Sequence, residues 1–392
     1  MIIDLCRLWR RSENNMIYFD NAATTYPKPR CVISEARRAI VEFAGNPGRG
    51  GHVLASRSAE AVYYARERIS ALMGCSPERV IFTVNATEAL NMAISGLAQD
   101  GCEILISDIE HNSVRRAALS MRRRGCTVSV YKTGRSKEET VRSLEQKVTD
   151  RTRMVVACHR SNVFGRELPI NEIAKFCKRR SIPFIVDASQ SAGSCPIDFD
   201  SLGASALCAP GHKGMFGIMG GGFMLISKEI APSSVEPLLQ GGSGVDSLSV
   251  TMPQVFPERL EAGTLAVPAI YSMGAGADFI GKTGVKEIEK RERLITDLAL
   301  ERILSFGNRL QVYNPDENKG SILLFNIVGR GSEDTAAALS KAGICVRAGF
   351  HCSPLAHESI GTPSHGAVRA SFGFFNRKSE IDVFYKTLKE ML

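Results

Sequence analysis

No apolar run in this chain approaches the roughly 18 residues that a membrane span needs. The glycine-rich stretch from Gly214 to Ser227 is too short and too interrupted. No membrane role is expected. Eleven cysteines are present, yet no two are spaced as CxxC, which argues against a zinc ribbon or a thioredoxin-like pair and leaves no metal site to expect. The first fifteen residues, MIIDLCRLWRRSENN, have neither a proper apolar core nor a cleavage site. Without a secretory signal, many single cysteines in a large chain imply a reducing cytoplasm. The densest basic runs are Arg10-Arg11 and Arg122-Arg123-Arg124, and no aromatic residue interleaves with the second. A solvated helix face explains the second run better than nucleic acid does. No GxGxxG follows the first expected strand, so a nucleotide-binding oxidoreductase has little support. No internal repeat is visible.

What is present suits a large α/β protein. The 392 residues exceed one ordinary domain, 44% are hydrophobic, and 35 glycines stand against 16 prolines. The formal charge of +8 favours anionic ligands or an acidic partner. Regular pattern begins at Met16, which reads as the natural start. Residues 1–15 read as a leader, mobile or an artefact of gene-start choice. From there short apolar runs alternate with helical spacing: strands at Tyr18–Asp20, Val80–Val84, Glu103–Ser107, Thr127–Tyr131 and Arg153–Cys158, helices at Val32–Phe43, Ser58–Met73, Lys137–Val148 and Ile170–Arg179. Strand–helix alternation with short links predicts a doubly wound, mainly parallel sheet. The pattern breaks between Glu236 and Glu261. A long helical region then runs to about Phe306, and a β/α mixture ends in a helix over Glu380–Leu392. The expected division is a large domain over 30–265 and a smaller α/β domain made of 16–29 and 266–392.

The stretch from Ile182 to Ile226 organises this pattern. Its apolar runs Pro183–Val186, Ala204–Ala209 and Gly222–Ile226 read as buried strands. Asp187 closes the first, with Gln190 three residues on, and His212-Lys213 follows the second in a glycine-rich turn. Parallel strands would place both at the ligand-binding edge of the sheet. A lysine can hold a carbonyl cofactor as a Schiff base, and an acid can hold a protonated pyridine nitrogen. Together they describe a pyridoxal phosphate site; separately they read as a surface lysine and a helix-capping aspartate. Asn85–Glu88, at a strand-to-helix junction, reads as a phosphate seat or an ordinary N-cap. His111 and Asn162 follow strands in the same way. Five polar groups on one edge favour a shared pocket.

Ten segments stand in the order found in the class V aminotransferases: NAATTYPKP, NPGRGGHVLASR, NATEALN, EHNSV, SNVFGRELPI, VDASQSAG, PGHKG, EAGT, VRAGFHCSPLAH and VRASFGFFN. The chain resembles the cysteine desulfurase and selenocysteine lyase group of these fold type I pyridoxal 5'-phosphate enzymes over nearly all of its length from Met16. The resemblance implies that Lys213 is the Schiff-base lysine, that Asp187 pairs with the pyridine nitrogen, that Gln190 bonds the ring oxygen and that His111 stacks on the ring. It implies that Ala86, Thr87 and His212 hold the phosphate, and that Thr264 reaches the neighbouring subunit's phosphate in a homodimer. Asn162 and Arg369 would bind the substrate, with Arg347 nearby. Cys352, beside His351 and Arg347, would be the nucleophile, since a cationic setting favours the thiolate. The implied reaction converts L-cysteine, with L-selenocysteine as a possible second substrate, to L-alanine, leaving a persulfide on Cys352 for a sulfur-acceptor protein or a reductant.

Two features depart from the group. Pro210 stands where relatives carry Ser or Thr and offers no N–H to a phosphate. Gly217-Ile218-Met219-Gly220 replaces the usual Gly-Pro-x-Gly turn. The competing readings are another class V reaction (transamination, epimerisation or β-elimination), which would not need Cys352, and a non-catalytic scaffold for a sulfur-handling partner.

Overall fold

A computed structural model of the chain describes residues 16–48, 50–313 and 320–392. The expected leader at 1–15 lies outside the described residues. The described residues divide into two compact units: those of 27–161 with 167–288, and those of 16–26 with 162–166 and 289–392.

β1 (Ile17–Tyr18) opens the described chain and belongs to the smaller unit. It is shorter than the expected Tyr18–Asp20 strand, because Asp20 makes only an isolated bridge to Ser371. The larger unit starts with α1 (Arg30–Glu42) and α2 (Val53–Met73). The second begins five residues earlier than its apolar spacing indicates, because the His52 side chain accepts from Ala55 N and caps it.

The larger unit is built on seven strands: β2 (Val80–Thr83), β3 (Glu103–Ser107), β4 (Thr127–Tyr131), β5 (Thr152–Cys158), β6 (Phe184–Asp187), β7 (Ala206–Pro210) and β8 (Gly222–Ile226). Their order across the sheet is β2-β8-β7-β6-β5-β3-β4. β3, β4, β5, β6 and β7 pair in parallel, and β8 runs antiparallel to both β7 and β2. All strands but β8 therefore point their carboxyl ends to one edge. β2, β3, β6, β7 and β8 are buried along their whole length, as expected for continuous apolar runs covered on both faces.

The connecting helices are α3 (Ala86–Leu97), α4 (Asn112–Ser120), α5 (Lys137–Lys147), α6 (Ile170–Arg179) and α7 (Phe199–Leu202). Each start has a local cause where a cap is present. Asn85 accepts from Glu88 N, and Ser136 with Glu139 forms a capping box. α6 buries Ile170, Ile173, Ala174, Phe176 and Cys177, one stripe at helical spacing.

The single long helix expected after Thr264 is two helices, α8 (Val267–Thr283) and α9 (Val285–Leu304). They are separated by Gly284, whose φ of +88° no helix accommodates. The smaller unit holds most of α9. Its antiparallel sheet has the order β12-β10-β9, from β9 (Leu310–Val312), β10 (Ile322–Ile327) and β12 (Val368–Ser371). β11 (Ile344–Cys345) pairs in parallel with β1. α10 (Ser332–Lys341), α11 (Pro354–Ser359) and α12 (Lys378–Met391) complete it. Its core gathers Phe19, Phe325, Phe372, Phe384 and Leu388 around apolar positions of α9.

Candidate active site

In the larger unit the strand ends gather the expected cofactor residues on one edge. β2 leads through Asn85 into α3, whose first residues are Ala86 and Thr87. Asn85 Oδ1 takes the amide of Glu88 at 3.0 Å. The amides of Ala86 and Thr87 are the first two of the helix and have no partner within it, so they present partial positive charge. β3 leads to His111, which caps α4: Nδ1 accepts from Ser113 N at 3.0 Å. An accepting Nδ1 puts the neutral ring's proton on Nε2.

β6 ends at Asp187, 3% exposed, whose Oδ1 accepts from Ser189 N at 2.9 Å. Half-buried Gln190 lies in the turn that follows. β7 ends at Pro210, and the half-buried pair His212-Lys213 occupies the next turn. Pro210 sits at the last ladder position, opposite Gly222, and Gly211 N donates to Gly221 O at 2.8 Å. The missing proline N–H thus costs the sheet little.

The turns carrying Asp187 and Lys213 press together backbone to backbone. A Cβ on Gly214 would lie 2.3 Å from Ala192 O, and one on Gly193, at φ +82°, would lie 2.3 Å from Gly214 O. Only glycine permits that approach. Thr264, by contrast, is exposed, and its hydroxyl accepts from Asn46 Nδ2 at 3.1 Å.

Two further residues of this unit were not singled out from the sequence. Lys28, within the NAATTYPKP segment, donates from Nζ to the carbonyl of His212 at 2.7 Å, and burial lowers its ammonium to about 7. Glu110, directly before His111, is wholly buried. Its Oε1 accepts from Cys158 N at 2.8 Å and from Ser107, while Oε2 has no partner among the described residues. Burial, reinforced by the charge of Asp187, raises its carboxyl to about 8. Neither residue stands out by spacing, because both owe their character to desolvation by distant segments.

The smaller unit assembles the other expected residues. Arg369, on β12, is 1% exposed. Its guanidinium donates to Asn162 O at 2.8 Å and to Asp20 Oδ1 at 2.8 Å, and its buried Nε has no partner among the described residues. Burial lowers its pKa, and Asp20 opposes that shift. Asn162 Nδ2 donates to His351 O, and Asn162 Oδ1 accepts from Ser353 Oγ, both at 2.7 Å. Its amide thus holds the turn carrying Cys352. Arg347 Nη2 lies 3.5 Å from Cys352 Sγ. Among the described cysteines only Cys31 and Cys352 are exposed.

The sequence model of the aminotransferase class-V family matches residues 17–384. The chain belongs to that family. Its class-V relatives include a probable cysteine desulfurase of Methanothermobacter thermautotrophicus, 32% identical over 96% of this chain and 94% of the relative. Another, from Halalkalibacterium halodurans, is 31% identical over 96% and 93%. The structure of a cysteine desulfurase from Thermococcus onnurineus superposes with a TM-score of 0.88 at 28% identity, covering 96% of this chain and 95% of that one. The architecture is that of the fold type I pyridoxal phosphate enzymes.

That class-V cofactor fits the larger unit. The first two amides of α3 suit a phosphate. A buried acid at the end of β6 suits a protonated ring nitrogen, and a half-buried lysine stands in the adjoining turn.

Proposed function

We propose that this class-V enzyme is a pyridoxal-5'-phosphate-dependent cysteine desulfurase that moves sulfur from L-cysteine to Cys352. The observation that carries this reading is the exposed Cys352 thiol at 3.5 Å from the Arg347 guanidinium, in a member of a family whose relatives include cysteine desulfurases. The thiolate is the form of a cysteine that attacks sulfur.

Lys213, Asp187, Gln190, His111, Ala86, Thr87 and His212 would hold the cofactor. When bound, it supplies an electron sink that acidifies the substrate α-carbon. Asp187 keeps the ring nitrogen protonated. Lys213 Nζ takes the α-proton and returns protons to carbon. Arg369, with an unpartnered Nε, grips the substrate carboxylate. Cys352 Sγ attacks the substrate sulfur: the S–S bond forms, the C–S bond breaks, and its electron pair stays on carbon to be protonated. The products are L-alanine and a persulfide on Cys352. A thiol reductant or an acceptor protein then takes the terminal sulfur. L-selenocysteine, whose weaker C–Se bond breaks the same way, is a second candidate substrate.

The enzyme works as a homodimer in the cytoplasm. Exposed apolar side chains on α1 and α2 support the dimer: Ile40 is 63% exposed, Val41 79% and Val53 67%. No disulfide joins any two of the ten described cysteines, in keeping with a reducing compartment. No described helix is long and apolar enough to cross a membrane.

The test is to incubate the cofactor-loaded protein with cysteine and a thiol reductant and to measure alanine and sulfide together. Equal yields from the wild type and neither from Cys352→Ala are expected. Full alanine production by Cys352→Ala would assign a class V reaction that does not use this thiol.

A further inference from the structure

Cys352 sits on an unusual backbone. His351 and Cys352 have φ of +50° and +57°, two consecutive non-glycine residues in the left-handed region. Such a conformation persists only where surrounding contacts impose it. Asn162 holds one side of the turn, through His351 O and Ser353 Oγ. The other side is held by a chain of rings. His351 Nδ1 lies 3.1 Å from His357 Nε2, and His357 Nδ1 lies 2.7 Å from Thr362 Oγ1. The two imidazoles stack with centroids 5.3 Å apart and planes 15° apart. At the far end His351 Nε2 lies 3.4 Å from the carbonyl of Arg347.

The direction of this chain follows from its end. A carbonyl only accepts, so His351 Nε2–H donates to Arg347 O and His351 Nδ1 accepts. His357 Nε2–H then donates to it, His357 Nδ1 accepts, and the Thr362 hydroxyl donates to that nitrogen at 2.7 Å in preference to the His357 carbonyl at 3.4 Å. Both imidazoles are neutral in this arrangement. Their burial agrees: desolvation lowers His351 to about 2 and His357 to about 4. The charged or titratable groups acting on the two rings, besides the rings themselves, are Arg347, Arg369 and His365. Thr362 and His357 lie on or just after α11, which starts two residues past Cys352. The chain therefore ties that helix to both residues that matter: it fixes the backbone of His351-Cys352 and the main chain of Arg347, whose side chain meets the thiol.

We propose that the Thr362–His357–His351 chain is a positioning device that holds Cys352 in its left-handed turn with the thiol against Arg347. His351, His357 and Thr362 act through Cys352 and Arg347 rather than on substrate. This inference rests on the reading of Cys352 as the sulfur acceptor.

The test compares His357→Phe, His357→Gln and Thr362→Val in the full-length, cofactor-loaded protein. Phenylalanine keeps a ring in the stack but neither hydrogen bond. Glutamine keeps a donor where Nε2 stood. Three quantities are read: the rate of Cys352 alkylation by iodoacetamide near neutral pH, followed by mass spectrometry of its peptide, and kcat and KM for alanine formation. His357→Phe is expected to slow alkylation and lower kcat about tenfold each, with KM within about twofold, since one positioned hydrogen bond is worth about that factor. His357→Gln restores both rates to within about threefold of wild type. Thr362→Val, nearly isosteric and at the far end, slows alkylation about threefold and keeps the proposal testable if His357→Phe does not fold. Alkylation at the wild-type rate in His357→Phe or Thr362→Val overturns the proposal. So does a His357→Gln variant as slow as His357→Phe, which would assign the effect to ring packing. Alkylation does not require turnover. If the wild type makes no alanine, the desulfurase reading fails while the positioning test still reads out.

Discussion

At the scale of single residues, buried charge and its partners decide what each group does. Arg369 uses two nitrogens on Asn162 O and Asp20, and its Nε has no partner among the described residues. Lysine cannot reproduce that fork. Arg369→Lys should raise KM for cysteine about tenfold to hundredfold, the worth of a charge-assisted hydrogen bond, with a smaller change in kcat and an unchanged cofactor absorbance; steady-state kinetics beside the visible spectrum would show the split. Glu110 tests a different point. Its carboxyl, raised to about 8, binds a proton in the folded state that the unfolded chain has released. Its contribution to stability is therefore present below the ordinary carboxylate range and is lost as pH rises toward about 8. Glu110→Gln, which mimics the protonated form, should flatten the decline in stability between mildly acidic and alkaline pH. Denaturant melts of both proteins across that range would measure it, and parallel curves would refute a protonated Glu110. His111 was legible as the residue after a strand. Glu110, one position before it, was not, because nothing in EHNSV reveals which of its polar side chains is sealed from water.

At the scale of elements, the residues proposed to hold the cofactor are placed by where strands stop and helices start. The short apolar runs and the polar residues ending them were legible because buried parallel strands are continuous in their apolar character. Ends were less legible. α2 begins at Val53 because His52 caps it, and Gly284 splits one expected helix into α8 and α9. The start of α3 carries a prediction. Asn85 satisfies Glu88 N, and Glu88 Oε2 in turn accepts from Val84 N at 2.6 Å. Asn85→Ala should cost about 1 kcal/mol of stability. It should also weaken cofactor retention, because the amides of Ala86 and Thr87 lose their fixed orientation. Thermal melts of the apo and loaded forms, with a cofactor titration followed by absorbance, would separate the effects; retention equal to wild type would mean that the cap serves the helix alone.

At the scale of the whole molecule, three buried imidazoles bear on stability in acid. His159 and His357 are lowered to about 4 and His351 to about 2, each chiefly by burial. The unfolded chain protonates its histidines near pH 6.5, whereas the folded one refuses those protons until well below. The stability they contribute is full above about pH 6.5 and is lost as pH falls toward about 4. Glu110 acts with the opposite sign in part of this window, so the acid limb is best read in the Glu110→Gln background. There the melting temperature should fall steadily from near neutrality toward pH about 4, and a flat profile would mean the imidazoles are hydrated. The sequence alone determined the alternating order of strands and helices, the family, and the acid and lysine at successive strand ends, since these are carried by local periodicity and by residues a few positions apart. Tertiary structure alone decided that Glu110 is sealed from water, that Lys28 lies on the His212 carbonyl, and that Thr362, His357 and His351 join beneath Cys352. Those properties depend on which segments exclude water from which, and on distances between groups that no local spacing encodes.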